Sequence, residues 1–202
     1  MKLVFIGKPG SGKGTQAKVI ANKLDILHIS TGDLLRGARK ESREVIRSFI
    51  DSGKFVPDEL MIKILKNKLE EPDAQNGFIL DGFPRTLPQA EELEKLFKID
   101  NIIEIHISDE EAIKRMSGRR ICRKCGAVYN IHTSYAPKKE DTCDKCGDYL
   151  YQRKDQTEEA IKQRMIIYHR DTEPILEKYL HKKIKGEQEI GKVTEDIFEI
   201  LK

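Results

Sequence analysis

The segment Gly7 to Thr15, GKPGSGKGT, constrains this chain more than any other stretch. It follows a short apolar run, Lys2 to Ile6, and precedes Ala17, Ile20, Ala21 and Leu24 at helical spacing, so it reads as the turn between a strand and a helix. Small residues in such a turn let successive backbone N–H groups converge on phosphate oxygens. The helix N-terminus adds positive potential, and Lys13 can reach the β- and γ-phosphates of a nucleotide. Gly10, Ser11, Gly12, Lys13, Gly14 and Thr15 are therefore the candidate triphosphate-binding residues. The general motif wants Ser or Thr directly after the lysine; here Gly14 follows and Thr15 comes one place later, which marks a particular variety of phosphate loop.

The rest of the chain alternates in the same way. Ile26 to Ile29, Gly77 to Asp81 and Asn101 to Ile107 are further strand candidates, with helical patterns between them. One helix starts at Pro57-Asp58 and lines Met61, Ile64, Leu65 and Leu69 along one face; Val193, Ile197, Ile200 and Leu201 form a closing helix. Such alternation predicts an α/β fold with a parallel, doubly wound sheet. At 202 residues the chain has room for one substantial core with a small insert. Arg119 to Lys154 breaks the rhythm and is too poor in aliphatic residues to build a core alone. Lys plus Arg is 37 and Asp plus Glu 34, a net charge of +3, which excludes a histone-like dependence on nucleic acid. Leu3 to Ile6 is far too short for a signal-peptide core or a membrane span, so a soluble, cytoplasmic protein is expected.

All four cysteines lie in the insert. Cys122-x-x-Cys125 and Cys143-x-x-Cys146 are separated by 17 residues, and each pair is followed by glycine (Gly126, Gly147), as a tight knuckle requires. Four thiolates leave no open position for water, so Zn²⁺ here would be structural. Redox-active dithiols or an iron site are the competing readings. His132 lies between the pairs and reads as an ordinary polar residue. His28, His169, the methionines and the aromatic residues show no metal or stacking pattern and read as packing or surface.

Two further segments, Ile29 to Arg36 (ISTGDLLR) and Leu80 to Gln89 (LDGFPRTLPQ), come after the loop at set distances. Together with G-x-P-G-x-G-K-G-T they resemble the nucleoside monophosphate kinases, and from end to end the chain resembles the adenylate kinases with a long, zinc-binding lid. The resemblance implies a P-loop three-layer sandwich with a parallel five-stranded sheet, a helical AMP-binding segment and a small zinc-ribbon lid. Its boundaries would be 1–29, 57–117 and 157–202 for the core, 30–56 for the AMP-binding segment and 118–156 for the lid.

A monophosphate acceptor needs guanidinium forks for its dianion and directional polar groups for its base. By resemblance, Thr31, Arg36, the Lys54, Phe55 and Val56 backbone, Gly82, Phe83, Pro84, Arg85 and Gln89 bind AMP, with Gln89 reading adenine. Arg36 and Arg39 lie on a helix expected to start near Asp33, and Arg39 reads as its solvated face. Asp81, at a strand end beside the phosphate loop, can order water around Mg²⁺, and Asp33 can contribute similarly. Arginines flank the insert. The resemblance places Arg119, Val128 and Tyr129 at ATP, Arg115 near its base, and Arg153 and Arg164 at AMP and the moving phosphoryl group. It also places Gln188 at the ATP adenine, in a C-terminal region, His181 to Gly186, shorter than in familiar members. In the family's R-x-D-D pattern this chain reads Arg153-Lys154-Asp155-Gln156, keeping only the first aspartate.

The activity implied by the resemblance is reversible transfer of a phosphoryl group from MgATP to AMP, giving two ADP. Lys13, Arg85, Arg119, Arg153, Arg164 and Asp155 are the expected catalytic set. The protein would be a monomer binding ATP, AMP and ADP, with no nucleic-acid or membrane partner. A kinase for another monophosphate, or a nucleotide-responsive RNA-binding protein using the basic, tyrosine-bearing ribbon, are the rival readings at this point.

Overall fold

The computed structural model describes residues 1–36, 46, 49 and 56–202. The expected strand–loop–helix opening is present as β1 (Lys2–Ile6) and α1 (Lys13–Leu24). Next come β2 (Leu27–Ser30), α2 (Thr31–Arg36), α3 (Asp58–Leu69), β3 (Phe78–Asp81), α4 (Leu87–Leu96), β4 (Asn101–His106) and α5 (Asp109–Gly118). The insert holds β5 (Arg119–Cys122), β6 (Val128–Asn130) and β7 (Leu150–Tyr151). The chain closes through α6 (Glu158–Ile167), a π-helical turn (Tyr168–Thr172), α7 (Glu173–Lys178), β8 (Lys182–Lys185) and α8 (Ile190–Leu201).

Five strands form one parallel sheet in the order β2-β3-β1-β4-β8, the doubly wound arrangement that the sequence alternation predicts. Side chains alternate across it. Leu3 and Phe5 of β1 pack with Ile20, Ile103, Ile105, Val193 and Ile197 on the α1 and α8 side. Val4 and Ile6 point the other way, onto Leu65, Leu80, Leu93 and Ile175. Both faces are covered, which is why these strands are continuous apolar runs. The register sets Phe5, Ser30 and Asp81 level with one another at the carboxyl ends of β1, β2 and β3.

Four boundaries differ by one or two residues from the sequence reading: β3 begins at Phe78 rather than Gly77, β4 ends at His106 rather than Ile107, and β2 and α2 start elsewhere for identifiable reasons. Strand β2 begins at Leu27, because Asp25 ends α1 in the left-handed conformation and the Ile26 N–H still bonds back to Ala21 O. Helix α2 starts at Thr31, two residues before the expected Asp33, because the Ser30 hydroxyl accepts the Asp33 N–H at 3.3 Å and caps the helix early. Arg39, Lys54 and Phe55 lie outside the described residues.

The insert is a separate three-stranded antiparallel sheet, β6-β5-β7, joined to α5 at Gly118. A Cβ at Gly118 would sit 2.5 Å from both Asn130 Oδ1 and His132 Cδ2. Neither can easily move aside: Asn130 donates to Arg115 O and accepts from His132 N, each at 2.9 Å. Gly118 is thus the packing joint between helix and ribbon. Gly118→Ala is expected to lower stability by about 1–3 kcal/mol through overpacking. Thermal unfolding checks this; a variant as stable as the parent would contradict it.

Candidate active site

The three sequence segments meet in one cleft of 630 Å³ at the carboxyl ends of β1, β2 and β3. Its walls include Gly10, Gly12, Lys13, Gly14 and Thr15 of the loop, Asp33, Asp81, Gly82, Pro84 and Arg85 below, and Arg119, Val128, Arg153 and Arg164 from the insert and its flanks. A cleft at this end of an open parallel sheet is where such folds place ligands.

Helix α1 begins here at Gly12 with no side-chain cap and no acidic residue in its first turn, so its amide donors are left for an anion. Gly10, at φ 88°, lies flush on α5: a Cβ there would come within 2.9 Å of Ala112 O. Lys13 folds back over the loop, donating from Nζ to Gly7 O at 2.6 Å and to Lys8 O at 2.9 Å. Burial lowers its pKa to about 7; Asp81 opposes this, while Arg85, Arg164 and Arg119 reinforce it. The Asp81 carboxylate lies over the first turn of α1, where a Cβ on Gly14 would be 3.0 Å from Oδ2. Asp33 lines the same cleft.

Behind the opposite wall Thr31 is buried, does not line the cleft, and donates its hydroxyl to Gly82 O at 2.8 Å, fixing the turn after β3. Arg85 Nε bonds Gly82 O at 2.7 Å, and its carbonyl accepts from Thr172 Oγ1 at 2.8 Å. Phe83 is buried behind this turn and Val56 is buried in the neighbouring core. Gln89 is 2% exposed, with Oε1 accepting from Arg85 N at 2.8 Å and Nε2 donating to Asp58 Oδ1 at 2.6 Å. In this conformation its amide anchors the Arg85 turn and does not line the cleft.

The insert's flanks bring in a second charged group. Asp155, 6% exposed, accepts from Arg153 at 2.8 and 2.5 Å and from Arg164 Nη1 at 3.0 Å. Burial pulls the Arg164 pKa down to about 9 against the support of Asp155, with Arg119, Arg153 and Arg85 adding to the fall. Gln156, where the family pattern has its second aspartate, is 2% exposed; its Oε1 accepts the Arg153 N–H, while its Nε2 has no partner among the described residues.

Three residues expected on the ATP side do not line this cleft and make contacts within the protein. Arg115 bonds Glu111 at 2.6 Å and Gly186 O at 3.1 Å, tying α5 to the loop after β8. Gln188 Nε2 is taken by Lys185 O and Asp196 Oδ2, both at 2.8 Å. Tyr129 turns into the cysteine cluster, its hydroxyl 3.4 Å from Cys143 Sγ and accepting from Asp144 N at 2.8 Å.

Within that cluster the ligand atoms of Cys122, Cys125, Cys143 and Cys146 all lie within 4.8 Å of one another. The closest pairs are Cys122–Cys146 at 3.4 Å and Cys125–Cys143 at 3.6 Å. Tetrahedral zinc with bonds of about 2.3 Å holds its sulfurs about 3.8 Å apart, so the donor set fits that ion. The Tyr129 hydroxyl pulls the Cys143 thiol down to about 6. At Cys146 the Asp148 backbone bond lowers the value, yet hydrogen bonding to Cys122 and burial carry it up to about 12.

The cleft also contains residues that sequence reasoning did not single out as functional. His28 lines it, with Nε2 3.5 Å from Asp81 Oδ2. Tyr168 and Thr172 line it from the π-helical turn. No residue pattern announces them, since a π turn breaks the helical spacing by which facing positions are recognised. His169, on the same turn, is more than surface filling: its two ring nitrogens bond Asp109 at 3.0 Å and Glu173 at 2.7 Å.

A family model described as adenylate kinase matches residues 5–184. The chain is 46% identical to the adenylate kinase of Caldicellulosiruptor saccharolyticus, covering all of this chain and 99% of that one. It is 47% identical to those of Methanocella arvoryzae and Archaeoglobus fulgidus, covering 98% and 100% of this chain and 96% and 98% of theirs. Glycine-rich loop, arginine-lined cleft and four-cysteine ribbon thus occur in a chain aligned over nearly its whole length with these enzymes, and the chain belongs to the adenylate kinase family.

Proposed function

We propose that the cleft takes MgATP against the phosphate loop and AMP against the Thr31 to Arg85 wall, and transfers the γ-phosphoryl group between them to give two ADP. One observation carries this reading: Lys13, Arg85, Arg119, Arg153 and Arg164 converge on a single cleft with Asp81 and Asp155.

An oxygen of the AMP phosphate attacks the γ-phosphorus in line, a new P–O bond forms, and the bond to the β-phosphate oxygen breaks. The attacking oxygen is already anionic near neutral pH, so no general base is required. Charge spreads over the equatorial oxygens in the transition state, and fixed cations in a site closed to water stabilise it. Lys13 serves the β- and γ-phosphates, with the loop amides of Gly10 to Thr15 beneath them. Arg119 and Val128 cover the ATP side. Arg36 and Arg85 hold the AMP phosphate; Arg153 and Arg164 bridge to the moving group, oriented by Asp155. Thr31, Lys54, Phe55, Val56, Gly82, Phe83, Pro84 and Gln89 shape the AMP site; Gln89 must exchange its bond to Arg85 N or Asp58 to read the base. Tyr129 and Gln188 act on the ATP side by supporting neighbouring backbone.

Asp33 and Asp81 would hold the water shell of a Mg²⁺ bound with ATP, which would supply neutralisation of phosphate charge there. Cys122, Cys125, Cys143 and Cys146 hold one structural Zn²⁺, which fastens the ribbon. Residues 118–156 act as the lid, 30–56 as the AMP-binding segment, and 1–29, 57–117 and 157–202 as the core. We place the protein in the cytoplasm as a monomer with no nucleic-acid or membrane partner. The near balance of charge supports this, as does the lack, among the described residues, of any helix long and apolar enough to cross a membrane.

Mixing the protein with MgATP and, separately, AMP, UMP, CMP or GMP should yield rapid ADP formation with AMP alone; preference for another acceptor would overturn the base assignment. Lys13→Ala should lower kcat about 100- to 1,000-fold, and near-parental turnover would contradict the role of the loop. Metal analysis should find one zinc per chain, and chelation should lower the unfolding temperature while leaving the parallel-sheet core folded. Metal-free protein from a chelator-free preparation would defeat the zinc assignment.

A further inference from the structure

We propose that Lys8, Asp109 and His169 form a positioning relay that seats the phosphate loop on α5 and thereby sets its grip on the triphosphate of MgATP. Lys8 occupies a variable place in the loop motif, and its ammonium is committed to protein. Nζ lies 2.5 Å from Asp109 Oδ1, and the side chain is only 11% exposed. The other oxygen of the same carboxylate is 3.0 Å from His169 Nε2, and His169 Nδ1 is 2.7 Å from Glu173 Oε2. The chain of contacts therefore joins the loop, the first residue of α5, the π-helical turn and the first residue of α7.

The Lys8 backbone is where this network meets the chemistry. Its carbonyl accepts from Lys13 Nζ at 2.9 Å and from Ser11 N at 3.1 Å. Anchoring the Lys8 side chain thus fixes the carbonyl on which the Lys13 ammonium rests. The loop already touches α5 through Gly10, where the backbone approach leaves no room for a Cβ beside Ala112 O. That contact sets the distance between loop and helix, and the Lys8–Asp109 pair sets where along the helix the loop lies. Asp109 takes two bonds at once: that from Lys8, and then that from His169, keep its carboxyl below the usual range. Hydrogen bonds to Glu173 and Asp109 in turn raise the pKa of His169. Removing the shared carboxylate leaves the nearly buried Lys8 ammonium without this partner, a costlier change than removing an exposed pair.

The relay rests on MgATP occupying the phosphate loop, and steady-state kinetics of the full chain separates the two ideas. Lys8→Met, which keeps the apolar stem, should raise KM for MgATP about five- to tenfold and leave KM for AMP within about twofold. Asp109→Asn should do the same, the double variant should be no worse than the poorer single one, and Lys8→Arg should restore parental values. His169→Gln, at the more exposed end, should raise KM for MgATP about two- to threefold; it carries the test if Lys8→Met fails to fold. Equal rises for both substrates, additive losses, or an unchanged KM for MgATP would overturn the relay. If Lys13→Ala also left KM and kcat untouched, the assignment of MgATP to the loop would be what failed.

Discussion

Everything around the cleft answers to one electrostatic constraint: a lysine and several arginines, each only partly exposed, crowd one cleft with fewer carboxylates than cations among the described residues. Lys13 shows the cost. Moving an ammonium from 10.5 to about 7 takes several kcal/mol at about 1.4 kcal/mol per pH unit. Asp81 offsets part of that, and the loop carbonyls of Gly7 and Lys8 hold the ammonium meanwhile; Asp155 does the same service for Arg164. Phosphates complete the balance. A site of this kind is strained toward its ligand before the ligand arrives, which is how fixed charges stabilise a transition state without reorganising during the reaction.

The scaffold makes that crowding tolerable. Parallel strands buried on both faces give the loop, Asp81 and Ser30 a common base at the floor of the cleft. The arginines beyond the sheet arrive on α6 and beside the ribbon strands, and Gly118 packs tightly where α5 meets the ribbon. The cleft thus takes its cations from the phosphate-loop side and from the flanks of the insert alike.

Much of this was legible in the sequence because it depends on local spacing. The glycine-rich loop needs its residues in a row, the cysteine knuckles need two residues between thiols, and the strands announce themselves as apolar runs bounded by Gly77 or Asp81. What was not legible depends on long-range contacts. Gln89 turns towards Asp58, 31 positions away, and Tyr129 towards Cys143. The histidines read as packing or surface because nothing local distinguishes them. His169 gains its meaning from Asp109, 60 positions earlier. The early start of α2 came down to a serine cap one residue ahead of the pattern.

The central claim, that the cleft holds a desolvated cation poised for phosphate, is tested most directly by titrating Lys13 itself. Nitrogen-detected NMR on protein labelled at lysine side chains, assigned with Lys13→Ala, should find a midpoint near 7 in the free chain. Saturation with inorganic tripolyphosphate should then move it up towards the ordinary 10.5. A free-protein midpoint already at the ordinary value, unmoved by tripolyphosphate, would contradict the account.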